Sequence, residues 1–326
     1  MKKLFSLRIL CLFAVLLVLS TASFGQEGWT IARRTASDDD LNTVYFANSE
    51  RGWVGGDRGF LAWTSDGGKT WVRQILQTKE NVNDVYFRSS ERGYALAGAD
   101  VFSSEDGGRI WRKEKVLRAD EFGKGKTSEL LSIRFPNKNN GWIVGLISDG
   151  DAFVESLVLH SSDGGTTWRR VRVPTKDQLI HLDFTNEENG WIVGANGTIL
   201  NTDDGGETWR EQTSGIKNTL YHVEFRDRKL GWIVGSKGAI LRSEDGGRTW
   251  RQASSQVNNT LLSVDFVSDK IGWAVGRGGT ILRSEDGGKT WLKQDGKTAA
   301  NLFGLYIEKK RGWAVGGKGV ILRYER

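Results

Sequence analysis

Cysteine is almost absent from the sequence, and this shortage excludes two kinds of covalent chemistry. The single cysteine, Cys11, has no second cysteine with which to form a disulfide. Cys11 also lies near the start of the N-terminal apolar run, whereas a bacterial lipoprotein needs its cysteine at the cleavage point that follows such a run. We therefore expect neither a disulfide nor a lipid anchor.

Long hydrophobic runs are missing after the N-terminus. Residues 1–25 have a basic start, an apolar run from Ile9 to Leu19, and the small residues Ser23 and Gly25. This order is typical of a secretory signal peptide, and the run is short for a membrane span. We predict a signal peptide over 1–25 and an exported mature chain without an integral membrane segment, located in a periplasm, a thylakoid lumen or the extracellular space.

A strong excess of one charge is also missing. The formal charge of +6 falls to +3 when Lys2, Lys3 and Arg8 are removed with the predicted signal peptide. Nothing in this balance requires a nucleic acid partner, although a local basic patch can still steer an acidic protein. We therefore predict no nucleic acid binding.

Glycine and tryptophan are abundant, with 42 and 14 copies, and they recur in a fixed pattern. The motif GW-x-V-G, with small variations, occurs seven times at spacings of 40 to 49 residues. Such a period with strand-like patterning predicts a β-propeller, in which each repeat is one four-stranded blade. We predict an all-β, seven-bladed propeller of antiparallel blades as a single domain over 26–326. The aromatic positions of the motif are Trp53, Tyr94, Trp142, Trp191, Trp232, Trp273 and Trp313.

Each repeat divides into four strands. The innermost strand is predicted from the alternating pattern L-x-x-V-x-F, and GW-x-V-G is the second strand. A run such as Gly238–Ser243 is the third, and the fourth begins at the Trp of a D-G-G-x-T-W turn. The inner-strand pattern ends at Phe46, Phe87, Phe135, Phe184, Phe225, Phe266 and Ile307.

The D-G-G-x-T-W turn is an Asp box, and we predict a structural role for it. Its Asp accepts hydrogen bonds from nearby backbone amides and its glycines permit positive φ, so that together they fix a tight connection. We expect the Trp that ends each box, from Trp71 to Trp291, to lie in the core. The box aspartates are Asp66, Asp106, Asp163, Asp204, Asp245 and Asp286.

The seventh repeat stops before any Asp box, and its missing strand is found at the other end of the chain. Gly28-Trp29-Thr30-Ile31 resembles the strand that follows each box, such as Thr249-Trp250-Arg251-Gln252. We predict that this N-terminal strand completes the last blade and closes the ring, leaving no exposed sheet edge.

Departures from the repeat length point to one face of the propeller. Eight extra residues lie in the connector between blades 2 and 3, and eight more in the second-to-third-strand turn of blade 3. Propeller topology places these turns and connectors together, opposite the Asp boxes. Basic residues are predicted on the same face, and we predict that they form a partner-binding surface: Arg58, Lys237, Arg277, Lys318, Lys113, Lys115, Arg118, Lys124 and Lys126.

The best catalytic or metal-ligating candidates lie on the inner strands of blades 4, 5 and 6. His181 and His222 occupy matching positions, and Asp183, Glu224 and Asp265 lie two residues beyond that position in their blades. Period two places these groups on the side of the central channel, where a metal or an acid–base pair can assemble. The other blades carry ordinary polar residues there, so we predict no catalytic residues, no metal site and no cofactor.

Asp boxes also occur in sialidases and other secreted glycosidases, which gives the alternative function. Sialidases need an arginine triad introduced by an Arg-Ile-Pro type motif, which Arg134-Phe135-Pro136 matches only loosely. Sugar binding also favours exposed tryptophans, and only Trp63 lies outside the repeat motifs. A carbohydrate-active exoprotein with Asp183, Glu224 and Asp265 as its acids is therefore the second hypothesis.

The ordered triplet of GW-x-V-G, G-x-I-L and D-G-G-x-T-W, recurring over residues 27 to 326, resembles the photosystem II stability and assembly factor family of cyanobacteria and chloroplasts. The resemblance implies a lumenal seven-bladed propeller that binds newly made reaction-centre subunits through an arginine-rich surface, without catalysis. Cyanobacterial members are typically lipoproteins, unlike this chain, and similar propellers occur in non-photosynthetic bacteria. We accordingly expect a monomeric, exported, non-enzymatic scaffold whose basic face docks an exported or membrane-protein partner.

Overall fold

Twenty-eight strands form seven four-stranded antiparallel sheets in the computed structural model, which describes residues 28–35, 38–114, 116 and 123–326. The inner strands of consecutive blades contact one another around a closed ring, as the repeat period predicts. The fold is the predicted seven-bladed β-propeller. The predicted signal peptide over 1–25 lies outside the described residues.

The strand bounds follow the repeat. The inner strands are β2 (Leu41–Phe46), β6 (Val82–Phe87), β10 (Lys126–Arg134), β14 (Leu179–Phe184), β18 (Leu220–Phe225), β22 (Leu261–Phe266) and β26 (Leu302–Ile307). The second strands are β3 (Gly52–Gly56), β7 (Gly93–Ala97), β11 (Gly141–Asp149), β15 (Gly190–Gly194), β19 (Gly231–Gly235), β23 (Gly272–Gly276) and β27 (Arg311–Gly316).

The outer half of every blade except the last is shorter than the inner half. The third strands are β4 (Phe60–Thr64), β8 (Asp100–Ser104), β12 (Ala152–Ser161), β16 (Ile199–Thr202), β20 (Ile240–Ser243), β24 (Ile281–Ser284) and β28 (Val320–Glu325). The fourth strands are β5 (Val72–Ile75), β9 (Arg112–Glu114), β13 (Arg169–Arg170), β17 (Arg210–Gln212), β21 (Arg251–Gln252), β25 (Leu292–Gln294) and, in the last blade, β1 (Gly28–Arg34).

The N-terminal strand closes the ring. β1 pairs antiparallel with β28, and Trp29 lies opposite Tyr324 with ring centroids 5.5 Å apart. Trp29 is buried, as is Tyr324. Burying these rings and pairing the outer edge of the last blade removes the exposed strand that an incomplete blade presents. The prediction from Gly28-Trp29-Thr30-Ile31 is confirmed.

The hydrophobic core lies between blades rather than within one. The Phe that ends an inner strand stacks on the GW-motif aromatic ring of the preceding blade, with centroids 3.6 Å apart for Trp232 and Phe266. The same Phe meets the box Trp of its own blade edge-on, as Phe266 does with Trp291 at 86°. The six GW-motif tryptophans are buried, as are the box tryptophans Trp209 and Trp291. The other box tryptophans are half-buried: Trp71, Trp111, Trp168 and Trp250.

Each Asp box is a closed hydrogen-bonding unit. In the first box, Asp66 Oδ1 accepts the amides of Lys69 and Thr70 at 3.0 and 2.9 Å, and Oδ2 accepts the Thr70 hydroxyl at 2.6 Å. Thr64 donates its hydroxyl to Asp66 and accepts the Gly68 amide. Because these groups satisfy one another, the boxes hold turns in place.

Blade 3 is taller than the others. β11 and β12 continue as a long hairpin, and the start of β10 pairs with it, since Lys126 lies opposite Asp149. The eight residues predicted as an insertion in this turn therefore extend two strands instead of forming a loop. Most of the other insertion lies outside the described residues, but its end at Lys126 joins the same extension.

Candidate functional site

The second-to-third-strand turns and the blade connectors lie together on what we call the connector face. Four of these turns have the same backbone: a non-glycine residue at φ of 54 to 55°, followed by a glycine at φ of 64 to 77°. Those non-glycine residues are Arg58, Asn196, Lys237 and Lys318. The left-handed region suits Asn, but it costs about 1 kcal/mol for Arg or Lys. In the corresponding turn of blade 6 a glycine, Gly278, takes this position and Arg277 precedes it.

Some of the predicted basic residues of the connector face form ion pairs, and others do not. Arg58 forms an ion pair with Asp39, and Lys113 contacts Asp100 at 2.6 Å. Three others, Lys237, Arg277 and Lys318, are exposed and have no ion-pair partner within the residues that the structure describes.

The remaining predicted residues belong to the first insertion. Lys124 is exposed and Lys126 is half-buried at the base of the blade 3 extension. Lys115 and Arg118 lie outside the described residues. Whether this part of the predicted surface joins the rest therefore stays a prediction.

Lys217 is a member of this surface that the sequence interpretation did not include. It is exposed in the connector between blades 4 and 5, beside the turn that carries Lys237. Asn218 donates to the carbonyl of Ser236 at 2.6 Å, which fixes the two segments together. Lys217 could have been predicted from its position in a blade connector. The sequence interpretation considered mainly the basic residues of the short turns.

The central channel holds a cavity of about 530 Å³, lined by the inner strands of all seven blades. One channel-facing position of each inner strand forms a ring of mixed chemistry. Three successive blades place carboxyl groups there, which we call the acid arc: Asp183, Glu224 and Asp265. Three other successive blades place phenol rings there, which we call the tyrosine arc: Tyr306, Tyr45 and Tyr86.

Both arcs tie one blade to the next through backbone groups. Tyr45 and Tyr86 donate their hydroxyls to the carbonyls of Phe87 and Phe135, at 2.9 and 3.1 Å. In the acid arc each carboxylate accepts one amide of the next blade: Asp183 Oδ2 from Phe225 at 2.8 Å, Glu224 Oε1 from Phe266 at 3.1 Å, and Asp265 Oδ2 from Ile307 at 2.7 Å.

Arg134 closes the ring between the two arcs, and its guanidinium is committed. It donates to Asp84 Oδ2 at 2.8 Å, to the carbonyl of Ile133 at 2.6 Å and to Nε2 of His181 at 3.1 Å. Because a guanidinium can only donate, His181 accepts and is neutral. The rings of His181 and His222 stack with centroids 3.9 Å apart.

Burial shifts the pKa values of the acid arc and of the two channel histidines toward their neutral forms. It raises the pKa of Asp183 to about 6 and that of Asp265 to about 7. Burial and the neighbouring Asp265 raise the pKa of Glu224 well above its usual value. Burial and the charge of Arg134 lower the pKa of His222 to about 3, so that this ring is neutral at physiological pH.

The geometry brings the five sequence candidates together, but gives four of them structural partners. Asp183, Glu224 and Asp265 each accept a backbone amide, and His181 accepts from Arg134. Within the described part of the chain, no group of three His, Cys, Asp or Glu side chains could hold a metal ion. The same ranges contain no helix long and apolar enough to cross a bilayer.

Comparison with known proteins gives a family and a fold. The family model described as "Photosynthesis system II assembly factor YCF48" matches residues 71–178, 166–221, 212–291 and 252–325, well over half of the chain. The search of the curated proteins finds no match.

Solved structures share the propeller fold at low identity. "YCF48 bound to D1 peptide" superposes with a TM-score of 0.73 at 19% identity, over 93% of this chain and 98% of that chain. YCF48 from Cyanidioschyzon merolae gives 0.72 at 20% identity, over 91% and 98%. A virginiamycin B lyase from Staphylococcus aureus with quinupristin gives 0.74 at 12% identity, over 91% and 99%. At these identities the likeness concerns the fold, which enzymes and assembly factors share.

Proposed function

The chain belongs to the family of photosystem II assembly factors described as YCF48, and from this membership we propose that it is an exported, non-enzymatic scaffold that docks a protein partner through its connector face. The partner is a segment of a membrane protein at an intermediate stage of assembly. The rest of the proposal concerns which part of the face makes the contact and what chemistry it recognises.

The observation that carries the proposal is a stretch of uncompensated positive charge over blades 5 and 6. Lys217, Lys237 and Arg277 are exposed there. Four connector and turn segments around them contain no Asp or Glu: residues 213–219, 236–238, 253–260 and 277–279. The connector over 295–301 packs on the turn of Arg277 and contains Asp295, which is paired with Lys297. We call Lys217, Lys237, Arg277 and the neighbouring Lys318 the cationic arc. Near Arg58, by contrast, the pairing with Asp39 neutralises the surface.

Backbone strain supports a functional role for the cationic arc. Lys237 and Lys318 occupy a left-handed position that Asn or Gly fills at lower cost in the corresponding turns of blades 4 and 6. A strained lysine that makes no ion pair within the described residues contributes little to the stability of the fold. Its charge is therefore best explained by a partner.

The chemistry of the arc favours an acidic, extended peptide. Cations in a row on a rigid surface complement carboxylates along a strand or at a chain terminus, and they accelerate association. One structural relative is YCF48 bound to a D1 peptide, which shows that a propeller of this fold takes up a peptide. We propose the same class of ligand for this chain.

A glycosidase function has no specific support in the channel. Asp183, Glu224 and Asp265 hold backbone amides of neighbouring blades, and Arg134 is occupied by Asp84 and His181. The uncommitted tryptophan of the sequence, Trp63, is half-buried and lies opposite Trp53 in the first blade. It does not form an exposed stacking platform.

The proposal is tested by measuring the affinity of a D1 peptide for the mature chain by fluorescence anisotropy. The variant carries Lys237→Glu, Arg277→Glu and Lys318→Glu. We expect an affinity loss of at least about tenfold, together with a weaker dependence on salt, because three cations are replaced by anions.

The matched control reverses three exposed cations on the Asp-box face, Lys69, Arg248 and Lys289. It makes the same change in net charge, so the comparison separates a local contact from general electrostatic attraction. Equal losses in the two variants, or none in the first, would contradict docking at the cationic arc.

A further inference from the structure

The central channel has an unbalanced distribution of charge. Among the described residues that line the cavity, Arg134 is the only Lys or Arg, and it is bound to Asp84 and His181. Glu224 and Asp265 lie farther along the acid arc, and neither has an ion-pair partner among the described side chains. The two adjacent carboxyl groups thus lack a counter-ion of their own.

Two buried polar atoms beside this pair are also unpartnered. Glu224 uses Oε1 for the amide of Phe266, but its Oε2 is buried without a hydrogen-bond partner in the described structure. Nδ1 of the neighbouring His222 is also buried without a hydrogen-bond partner among the described residues. Leaving a buried polar atom unpaired is unfavourable, and a bound group that pairs with it recovers this cost. Both residues line the cavity.

Aromatic rings face this acidic side across the cavity. Tyr45 lies at the centre of the tyrosine arc, with ring centroids 5.9 Å from Tyr86 and 6.3 Å from Tyr306. Tyr306 is in the blade next to Asp265, so the two arcs adjoin there. Aromatic faces attract organic cations, and carboxylates next to them add a hydrogen-bonding anchor.

We propose that the channel binds a primary alkylammonium group, held by Glu224, Asp265 and His222 and covered by Tyr306 and Tyr45. An ammonium has three N–H donors, which match the carboxylates of Glu224 and Asp265 and the lone pair of a neutral His222 ring. Because burial and the neighbouring Asp265 raise the pKa of Glu224, binding of the cation releases the proton that this carboxyl group holds in the empty site. The cavity of about 530 Å³ leaves room for an alkyl chain. The site does not suit a metal ion, because the described residues contain no group of three or more His, Cys, Asp or Glu side chains that could hold one.

A primary alkylammonium group can come from two sources: a free alkylamine, or the side chain of a lysine in a partner protein. The inference goes beyond the docking function and uses other residues, because the cationic arc lies on the connector face and the ammonium site lies on the ring axis. The two proposals can therefore fail separately.

The test is calorimetric titration of the mature chain with n-pentylamine at pH 8, with 1-pentanol as the neutral analogue. We expect saturable binding of the amine and none of the alcohol. Glu224→Gln and Asp265→Asn keep an oxygen for the backbone amide of the next blade but remove the charge, so both should fold. Each is expected to weaken binding at least about tenfold, since a charge-assisted hydrogen bond contributes about 1.5 to 3 kcal/mol.

Two further variants make the result specific. Tyr306→Leu removes a ring from the tyrosine arc without touching a carboxylate and should also weaken binding. Glu207→Gln removes an exposed carboxylate on the Asp-box face and should leave binding unchanged. The melting temperature of each variant identifies any that is unfolded.

Three outcomes overturn the inference: no saturable binding by the unmodified chain, equal binding of the alcohol, or full binding by folded Glu224→Gln and Asp265→Asn variants. If the amine binds, N-acetyl-lysine methylamide distinguishes the sources. Its binding at the same site supports a protein side chain as the guest, and its exclusion assigns the site to a free amine.

Discussion

At the residue scale, stability depends on aromatic rings that belong to two blades at once. Trp232 of blade 5 stacks on Phe266 of blade 6, and its Nε1 donates to the carbonyl of Gly287 in the same neighbouring blade at 2.9 Å. One side chain thus supplies apolar burial, ring stacking and a hydrogen bond across a single interface. The stack of a GW-motif ring on the Phe of the next blade recurs at five other interfaces, where it likewise fixes the relative position of two sheets.

Replacing Trp232 with Ala should lower the free energy of unfolding by about 3 to 5 kcal/mol, because it opens a cavity at the blade 5–blade 6 interface. Trp232→Phe keeps the stacking and should cost less. Trp250→Ala is the control, since this box tryptophan is half-buried. Urea denaturation measures all three, and a Trp250→Ala loss equal to that of Trp232→Ala would show that the stacked ring has no special role.

The dependence of stability on pH should have two limbs of opposite sign. Asp183 and Asp265 have pKa values of about 6 and 7 in the folded state, above the ordinary value, so their ionisation destabilises the fold as the pH rises toward 7. The hydroxyls of Thr70 and Thr167 hold the pKa of Asp66 and Asp163 at about 2, so this stabilisation is lost as the pH falls below about 4.

The neutral ring of His222, with a folded-state pKa of about 3, adds stability as the pH rises toward its ordinary pKa and so opposes the first limb. We therefore expect a broad maximum of the melting temperature between about pH 4 and pH 6, with a decline on either side. Calorimetry over pH 2 to 9 measures this profile. Asp265→Asn should flatten the limb above pH 5 and leave the acid limb unchanged. A melting temperature that rises steadily from pH 5 to pH 8 is incompatible with the cited shifts.

At the scale of the element, alternation and turn chemistry made most strands predictable. Six of the seven inner strands end at the predicted Phe or Ile, and β10 ends one residue earlier, at Arg134. The third strand of blade 5 begins two residues later than predicted, at Ile240 rather than Gly238, because a 3₁₀ turn takes Ser236–Gly238. The extension of blade 3 was predicted as a turn insertion. Its strand pairing was not, because pairing depends on the register between β10, β11 and β12, which period two alone does not fix.

In the channel, the sequence predicted the positions of the carboxyl groups but not their hydrogen-bond partners. Alternation placed Asp183, Glu224 and Asp265 near the axis, as found. Their partners are backbone amides of the neighbouring blade, about 42 residues away in the chain, and no side-chain motif records such a contact. The box tryptophans were predicted as core: Trp209 and Trp291 are buried, and the other four are half-buried but pack against the core.

Deleting residues 26–36 should destabilise the propeller strongly, because the edge of β28 and the ring of Tyr324 lose their cover. Trp29→Ser keeps the strand and removes only the buried ring, and it should cost less. Thermal unfolding and light scattering measure stability and aggregation. If the truncated chain melts at the temperature of a chain that begins at Gln26, β1 does not close the ring.

At the scale of the whole molecule, the ring is closed by a sheet that contains both the first strand, β1, and the last strand, β28. We expect this shared sheet to govern the rate of unfolding. Gly28 lies opposite Glu325, so a short linker can join the two ends. A circular permutant with new termini in the connector after Gln256 has seven blades that are each continuous, and its ring is closed by packing alone. We expect it to unfold faster than the natural chain in stopped-flow denaturation.

The matched permutant has its new termini in the Asp-box turn of blade 5, within residues 244–248. One blade is then again built from both ends of the chain, and the unfolding rate should return toward that of the natural order. Equal rates for the two permutants would mean that blade-to-blade packing, and not the shared sheet, limits opening.

The pairing of the first strand with the last also makes the fold depend on complete synthesis. A polypeptide released from the ribosome before Tyr324 is made keeps the ring of Trp29 uncovered, since β28 follows all the other strands of the propeller in the chain. Such fragments display an open β-edge and an unburied indole, features that proteases and chaperones recognise. A full-length product hides both, so this arrangement distinguishes finished from unfinished molecules before any partner is met.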